Sequence, residues 1–266
     1  MLKHCILGYD YSESWGKTHD RLPPLLRLAG VERLTLVHAV DTTRRINIED
    51  SEAVAAGHLE KLSASLSAEL GIPTDFEVRR GFAATELHEV ARRRKADGMI
   101  VLNPSHSAGR ALFYGNTTLN LARLTRLPLL IIPADGAAVE PGGLVMFATD
   151  GSRPAQVAQR AFEHLLARGR PGLVLWVETD EYDNKAVIDE QVALLVNRHD
   201  QVAVRHTRGS AVREIVKTAA DEQASLLIMG KRGTTPIQEL MIGSTAEGVA
   251  RESRQPVLLI PVNSEL

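Results

Sequence analysis

Ser225-Leu-Leu-Ile-Met229, followed by Gly230-Lys-Arg-Gly-Thr-Thr-Pro-Ile-Gln-Glu-Leu-Met-Ile-Gly-Ser-Thr245, decides the fold of this chain. The short apolar run reads as a buried strand, and Ser244-Thr-Ala-Glu247 reads as the capped start of a helix. Between them stand Gly230, Gly233 and Gly243, with a hydroxyl pair after the last. A strand that leaves through a glycine loop and re-enters as a helix is suited to holding phosphate. Glycine lets the backbone approach an anion without a Cβ in the way, and the N–H groups of a helix start point outward with a favourable dipole.

Outward from this loop the same alternation continues to both ends. The first half reads as strands over 3–10, 32–40, 74–80, 98–102 and 128–132, with helices over 13–28, 51–70, 84–94 and 116–126. The second half reads as strands over 144–150, 173–177, 202–207, 226–229 and 257–261, with helices over 152–168, 184–197, 211–221 and 244–254. Strands that alternate with helices of this length imply parallel pairing, because a crossover helix returns the chain to the same end of the sheet. Near-continuous apolar strands such as Leu129-Leu-Ile-Ile132 fit a sheet covered on both faces. The stretch 133–142, with its Pro, Gly and Ala, has linker character. The expected organisation is two tandem, open, five-stranded parallel α/β domains of Rossmann-like type, over 1–135 and 143–266.

The two halves also repeat residue by residue. A shift of 128 carries Gly81 onto Gly209, Glu86 onto Glu214, Ile100 onto Ile228, Gly115 onto Gly243, Thr117 onto Thr245 and Pro128 onto Pro256. Upstream the shift changes, since Asp10 meets Asp150 at 140. Such agreement over some fifty residues implies duplication.

Composition narrows the function classes. The 266 residues carry a formal net charge of −2, which offers no general affinity for nucleic acid or anionic membrane. The basic run Arg92-Arg-Arg-Lys95 sits at a helix end, where it complements the dipole. The single cysteine, Cys5, lies in a strand, precludes an intramolecular disulfide and fits a reducing compartment. With no signal peptide and no apolar run long enough to span a bilayer, a cytoplasmic location is expected.

The pattern Gly, two residues, Gly, nine residues, Gly, then Ser or Thr resembles the nucleotide-binding signature of the universal stress protein family, including its place between the fourth strand and last helix. The resemblance covers nearly the whole chain as a tandem, and it implies an adenine-nucleotide-hydrolase-like fold with two halves related by pseudo-two-fold symmetry. Single-domain members dimerise, so it also implies either an intramolecular pseudo-dimer or a homodimer, with 129–132 and 257–260 as the natural partner strands. The ligand implied is ATP, with Mg2+, held by Gly230, Lys231, Arg232, Gly233, Gly243, Ser244 and Thr245. Asp150, which ends the first strand of the second half beside Gly151, would contact the adenosine part. Val177 and Glu178 would meet the adenine through backbone groups. The residues themselves leave alternatives open: Asp150 could cap the next helix, unless Ser152 does so, Glu178 could be a solvated strand end, and Lys231 and Arg232 could be solvated loop cations.

The first copy of the loop, Leu102-Asn-Pro-Ser-His-Ser-Ala-Gly-Arg-Ala-Leu-Phe-Tyr-Gly-Asn-Thr117, replaces Gly230 with Leu102 and Gly233 with Ser105. Tyr11 likewise replaces Gly151. A side chain forced into left-handed backbone costs roughly 1–2 kcal/mol, about a tenfold in affinity, so the first site is expected to bind nucleotide weakly or not at all. Replacing Gly230 and Gly233 with Ala is expected to abolish binding and leave the fold intact. No Walker loop, dinucleotide turn, zinc-protease motif or nucleophile elbow occurs, and His38 and His206, in strands, read as structural. No base or metal pair for hydrolysis is assignable, so the sequence favours a nucleotide-dependent stress-response regulator with an unidentified protein partner and at most slow ATPase activity. The alternative is a scaffold or small-ligand carrier of the same fold.

Overall fold

The computed structural model describes residues 2–10, 13–42, 48–103, 116–179, 185–233 and 241–264. The chain divides into two compact units, Met1–Asp135 and Gly136–Leu266. In the first, the strands β1 (His4–Gly8), β2 (Arg33–Val40), β3 (Thr74–Arg80), β4 (Gly98–Asn103) and β5 (Leu129–Pro133) pair in the order β3-β2-β1-β4-β5, all parallel. In the second, β6 (Val145–Thr149), β7 (Gly172–Glu178), β8 (Val202–Arg208), β9 (Leu226–Gly230) and β10 (Val257–Ile260) pair as β8-β7-β6-β9-β10, again all parallel. Each unit is the open parallel α/β sheet expected from the alternation, and every residue of β5, β6, β9 and β10 is buried.

The helices of the first unit are α1 (Glu13–Thr18), α2 (Leu22–Ala29), α3 (Ile48–Leu70), α4 (Ala83–Arg94) and α5 (Asn116–Leu124). Those of the second are α6 (Arg153–Leu166), α7 (Lys185–Arg198), α8 (Ala211–Asp221) and α9 (Ser244–Glu252). α6 buries Val157, Ala158, Ala161, Phe162 and Leu165 at helical spacing, and Phe162 stacks on Phe147 of β6 with ring centroids 5.5 Å apart. Among the described residues no helix is long and apolar enough to cross a membrane.

Three details depart from the sequence reading. The single helix expected over 13–28 is α1, a 3-10 turn at His19–Arg21, and α2. Pro23 and Pro24 fall in the first turn of α2, where missing N–H groups leave no bond unmade, so a new helix has to start there. Residues 137–143 are tied to the second unit: the Ala137 N–H donates to Arg254 O at 3.0 Å, the Glu140 N–H donates to Ser225 Oγ at 3.2 Å, and Val139 is buried. The arginines of the 92–95 run have more specific partners than a helix dipole. Arg92 pairs with Glu89, Arg93 and Arg94 with Glu77, and Arg94 also with Asp75, while Lys95 closes α4 in left-handed backbone at φ 52°.

The strand registers make the duplication geometric. Cys5 faces Gly98 as Val145 faces Leu226, and Leu34 faces Thr74 as Gly172 faces Val202. The offset is therefore 140 in the first strand of each unit, 138 in the second and 128 from the third onward. Most of the shortening falls between the second and third strands, where α3 has 23 residues and α7 has 14.

Candidate functional site

In the second unit β6 lies at the centre; the chain runs outward from it through β7 and β8, then returns to pair β9 on its other side. Two neighbouring strands whose onward connections lead to opposite sides leave a crevice beyond their carboxyl ends, the usual ligand position of open α/β sheets. A cavity of about 530 Å3 occupies that crevice. Its floor is Ala148 and Thr149 of β6, Leu175, Trp176 and Val177 of β7, and Met229 and Gly230 of β9. Its rim comes from the first turns of α6, α8 and α9, with Ile188 of α7.

Of the expected site residues, Asp150, Val177, Gly230, Arg232, Gly233, Gly243, Ser244 and Thr245 line this one cavity. The others stand around it. Gly151 is buried behind the wall at φ +73°, where a Cβ would lie 2.9 Å from Ile188 Cγ1. Lys231 is buried with 4% of its surface exposed, and its backbone continues the ladder by donating to Ile260 O at 2.8 Å. Glu178 turns toward β8, with its Oε2 3.2 Å from His206 Nε2 and its Oε1 3.9 Å from Arg208 Nε. Thr234 and Thr235, like Tyr11, Ser105, Gly109 and Gly115 of the first half, lie outside the described residues.

The loop is glycine-rich for closeness rather than for handedness. Left-handed φ values occur at Gly151 and Gly209, and not at Gly230, Gly233 or Gly243. A Cβ on Gly230 would meet Arg232 O at 2.8 Å and Pro154 C at 3.0 Å; one on Gly243 would meet Arg232 Cα at 3.2 Å. A Cβ on Gly233 would lie 2.6 Å from Asp150 Oδ2. The neck of the loop is closed by two bonds, from the Gly243 N–H to Lys231 O at 3.0 Å and from Arg232 Nε to Met241 O at 3.0 Å. Arg232 is therefore both a cavity-lining cation and the clasp of the loop. Because a Cβ at Gly230 would press on backbone of the loop and of α6, alanine there is expected to cost stability as well as binding.

Helix α9 opens on Gly243, which supplies no side chain to cap it, so the positive end of the helix faces the cavity behind Ser244 and Thr245. At α6 the arrangement differs: Ser152 Oγ accepts from the Ala155 N–H at 3.3 Å and serves as the cap, while Asp150 Oδ1 accepts from the Ser152 N–H at 3.0 Å. That bond fixes the Asp150 side chain in an Asx turn with Oδ2 toward Gly233.

Two wall elements escaped sequence reasoning. Trp176, 9% exposed, forms part of the floor and stacks on His206 with centroids 4.1 Å apart at 11°. The start of α8, Gly209-Ser-Ala-Val212, forms one side, entered through Gly209 at φ +140°. The second had a signal in the sequence, since Gly209 repeats Gly81; the first had none.

The comparisons agree with this architecture. The model of the universal stress protein family matches residues 1–133 and, a second time, residues 144–261. A universal stress protein of Mycolicibacterium smegmatis is 24% identical over 250 residues, spanning 87% of this chain and 81% of that one. Universal stress protein MJ0577 of Methanocaldococcus jannaschii is 45% identical over 47 residues, 18% of this chain and 29% of that one. The crystal structure of a universal stress protein from Archaeoglobus fulgidus superposes with a TM-score of 0.80 at 18% identity, covering 98% of both chains, and so shares the fold. This chain belongs to the universal stress protein family and carries two of its domains in tandem.

Proposed function

We propose that the second unit binds ATP and that the protein acts as a nucleotide-dependent regulator in the cytoplasmic stress response. The observation that carries this reading is the meeting, in one cavity of about 530 Å3, of an uncapped helix start and a backbone loop with no room for a Cβ. Donor N–H groups, two hydroxyls and one guanidinium lie at the α9 side, suited to a polyphosphate. Apolar and aromatic side chains of β7 lie at the other, suited to a base. Asp150, between them, would accept a hydrogen bond from a ribose hydroxyl, and the Val177 backbone would meet the adenine edge. Asp150 and Arg232 are the charged side chains among the described wall residues, so Mg2+ would arrive on the phosphates themselves. Binding would act on a partner, or on a second copy of the chain, only to the extent that ATP prefers one conformation of the loop.

The test is calorimetric titration with ATP and Mg2+, with Ser244→Glu as the informative variant. Ser244 is exposed at the first position of α9, where a carboxylate favours the helix but repels a triphosphate. One site per chain in the wild type, weakened at least tenfold in a normally folded Ser244→Glu protein, is the expected result. Absent binding, or binding indifferent to the substitution, would refute the assignment.

A further inference from the structure

Strand alternation puts Trp176 and Glu178 of β7 on one face of the second unit's sheet, beside His206 and Arg208 of β8, since Trp176 registers with His206 and Glu178 with Arg208. Three of these side chains form a row. The imidazole of His206 lies flat on the indole of Trp176, with ring centroids 4.1 Å apart and planes 11° from parallel. The Glu178 carboxylate stands at the edge of the imidazole, its Oε2 3.2 Å from Nε2, and steadies that ring against the indole. Trp176 is 9% exposed and lines the cavity of about 530 Å3, whereas the His206 and Glu178 side chains are 44% and 40% exposed and do not line it.

The sheet itself does not require this row, as the duplication shows. The strand offsets set His38 where the second unit has Trp176, Val40 where it has Glu178, and Val78 where it has His206. The first unit therefore builds the same parallel pairing with valines in place of the imidazole and the carboxylate. There the registered ring, His38, lines a smaller cavity of about 240 Å3. A half-exposed strand position is served by valine at least as well as by histidine, because strands favour β-branched side chains. What histidine adds at 206 is a flat face for Trp176 and a ring nitrogen for Glu178.

We propose that His206, steadied by Glu178, is the positioning residue for Trp176, and that it fixes the aromatic wall of the second cavity before the base of a nucleotide arrives. The inference rests on the ATP reading of that cavity. An indole free to change rotamer has to be ordered when a base packs on it, and the ligand loses affinity by that cost. An indole already stacked spares the ligand this loss, worth about threefold to tenfold in affinity for one immobilised side chain.

Two substitutions separate positioning from packing. His206→Val gives β8 the residue that the first unit carries at the registered position, so the sheet is expected to form without the flat face. His206→Phe restores a flat ring. Calorimetric titration of the full chain with ATP and Mg2+ should show His206→Val weakened about threefold to tenfold and His206→Phe within about twofold of the wild type. The chain contains two tryptophans, so in a Trp15→Phe background the remaining indole is Trp176, and its near-ultraviolet circular dichroism reports how firmly it is held with no ligand present. That indole band should lose amplitude in His206→Val and recover in His206→Phe. Wild-type affinity in His206→Val, an indole band indifferent to that substitution, or a His206→Phe protein as weak as His206→Val would each overturn the inference and leave the ATP site standing. Absence of ATP binding by the wild type would overturn the ATP reading, and this inference with it.

Discussion

Two glycines in the loop with the same letter have different physical reasons, and substitution should separate them. At Gly230 the atoms nearest a Cβ are Arg232 O and Pro154 C, both backbone, so alanine must push the end of β9 away from α6. At Gly233 the nearest atom is Asp150 Oδ2, the far end of a side chain and not backbone. Gly230→Ala should therefore cost about 1–3 kcal/mol of stability in urea denaturation, as overpacking does. Gly233→Ala should leave the denaturation midpoint near the wild-type value while weakening ATP roughly tenfold or more, because it displaces the Asp150 carboxylate. Equal destabilisation by both would show that the neck of the loop moves as a unit. The spacing of these glycines was legible in the sequence, but their individual reasons were not. Each depends on an atom from another part of the chain, Pro154 or Asp150, that only the folded strand ends bring within reach.

The elements themselves followed from periodicity, and the misreadings came where a local rule met a tertiary partner. Strand β3 shows how. Its residues Asp75, Glu77 and Arg79 alternate onto one face and pair there with Arg33 and Arg94, with Arg93 and Arg94, and with Glu86. A sheet edge charged in this way is closed to stray strand pairing. The basic run at the end of α4 looked like a dipole device because Glu77 stands sixteen residues from Arg93 in sequence. Burial pulls the Glu77 pKa up, but the hydrogen bonds from Arg93 and Arg94 outweigh it and hold the carboxyl below its ordinary 4.5. A carboxyl whose folded pKa is depressed contributes stability above its unfolded pKa, and that contribution is lost as pH falls through the folded value. Glu77→Gln should accordingly cost about 1 kcal/mol at pH 7, a modest figure because both arginines are partly solvated. The difference from wild type should shrink as pH is lowered below 4.5. Urea denaturation at a series of pH values measures it, and a gap unchanged down to pH 3 would mean that the pair contributes nothing through charge.

At the scale of the molecule, duplication made the fold legible and then made the two sites comparable. One sheet plan is written twice, with offsets of 140, 138 and 128. Within that plan registered wall residues differ, Leu102 against Gly230 and His38 against Trp176, and the cavities measure about 240 Å3 and about 530 Å3. Substitutions of this kind could be read from the sequence as losses, since a leucine visibly replaces a glycine. They could not be read as a different set of walls, because Trp15 of α1 lines the first cavity against the Tyr9 ring, a contact the sequence does not announce. If the second unit alone takes ATP, ligand should stabilise one half of the chain and spare the other. At a free concentration one hundred times Kd the bound unit gains about 2.7 kcal/mol, which slows amide exchange through its unfolding by about a hundredfold. Hydrogen exchange with ATP and Mg2+ should therefore show slowing in peptides that cover β6, β9 and α9, with β1, β4 and α5 unchanged. Ser244→Glu should abolish the slowing. Protection by ATP in both halves alike would place nucleotide in the first cavity as well, and the division of labour between the two copies would fail.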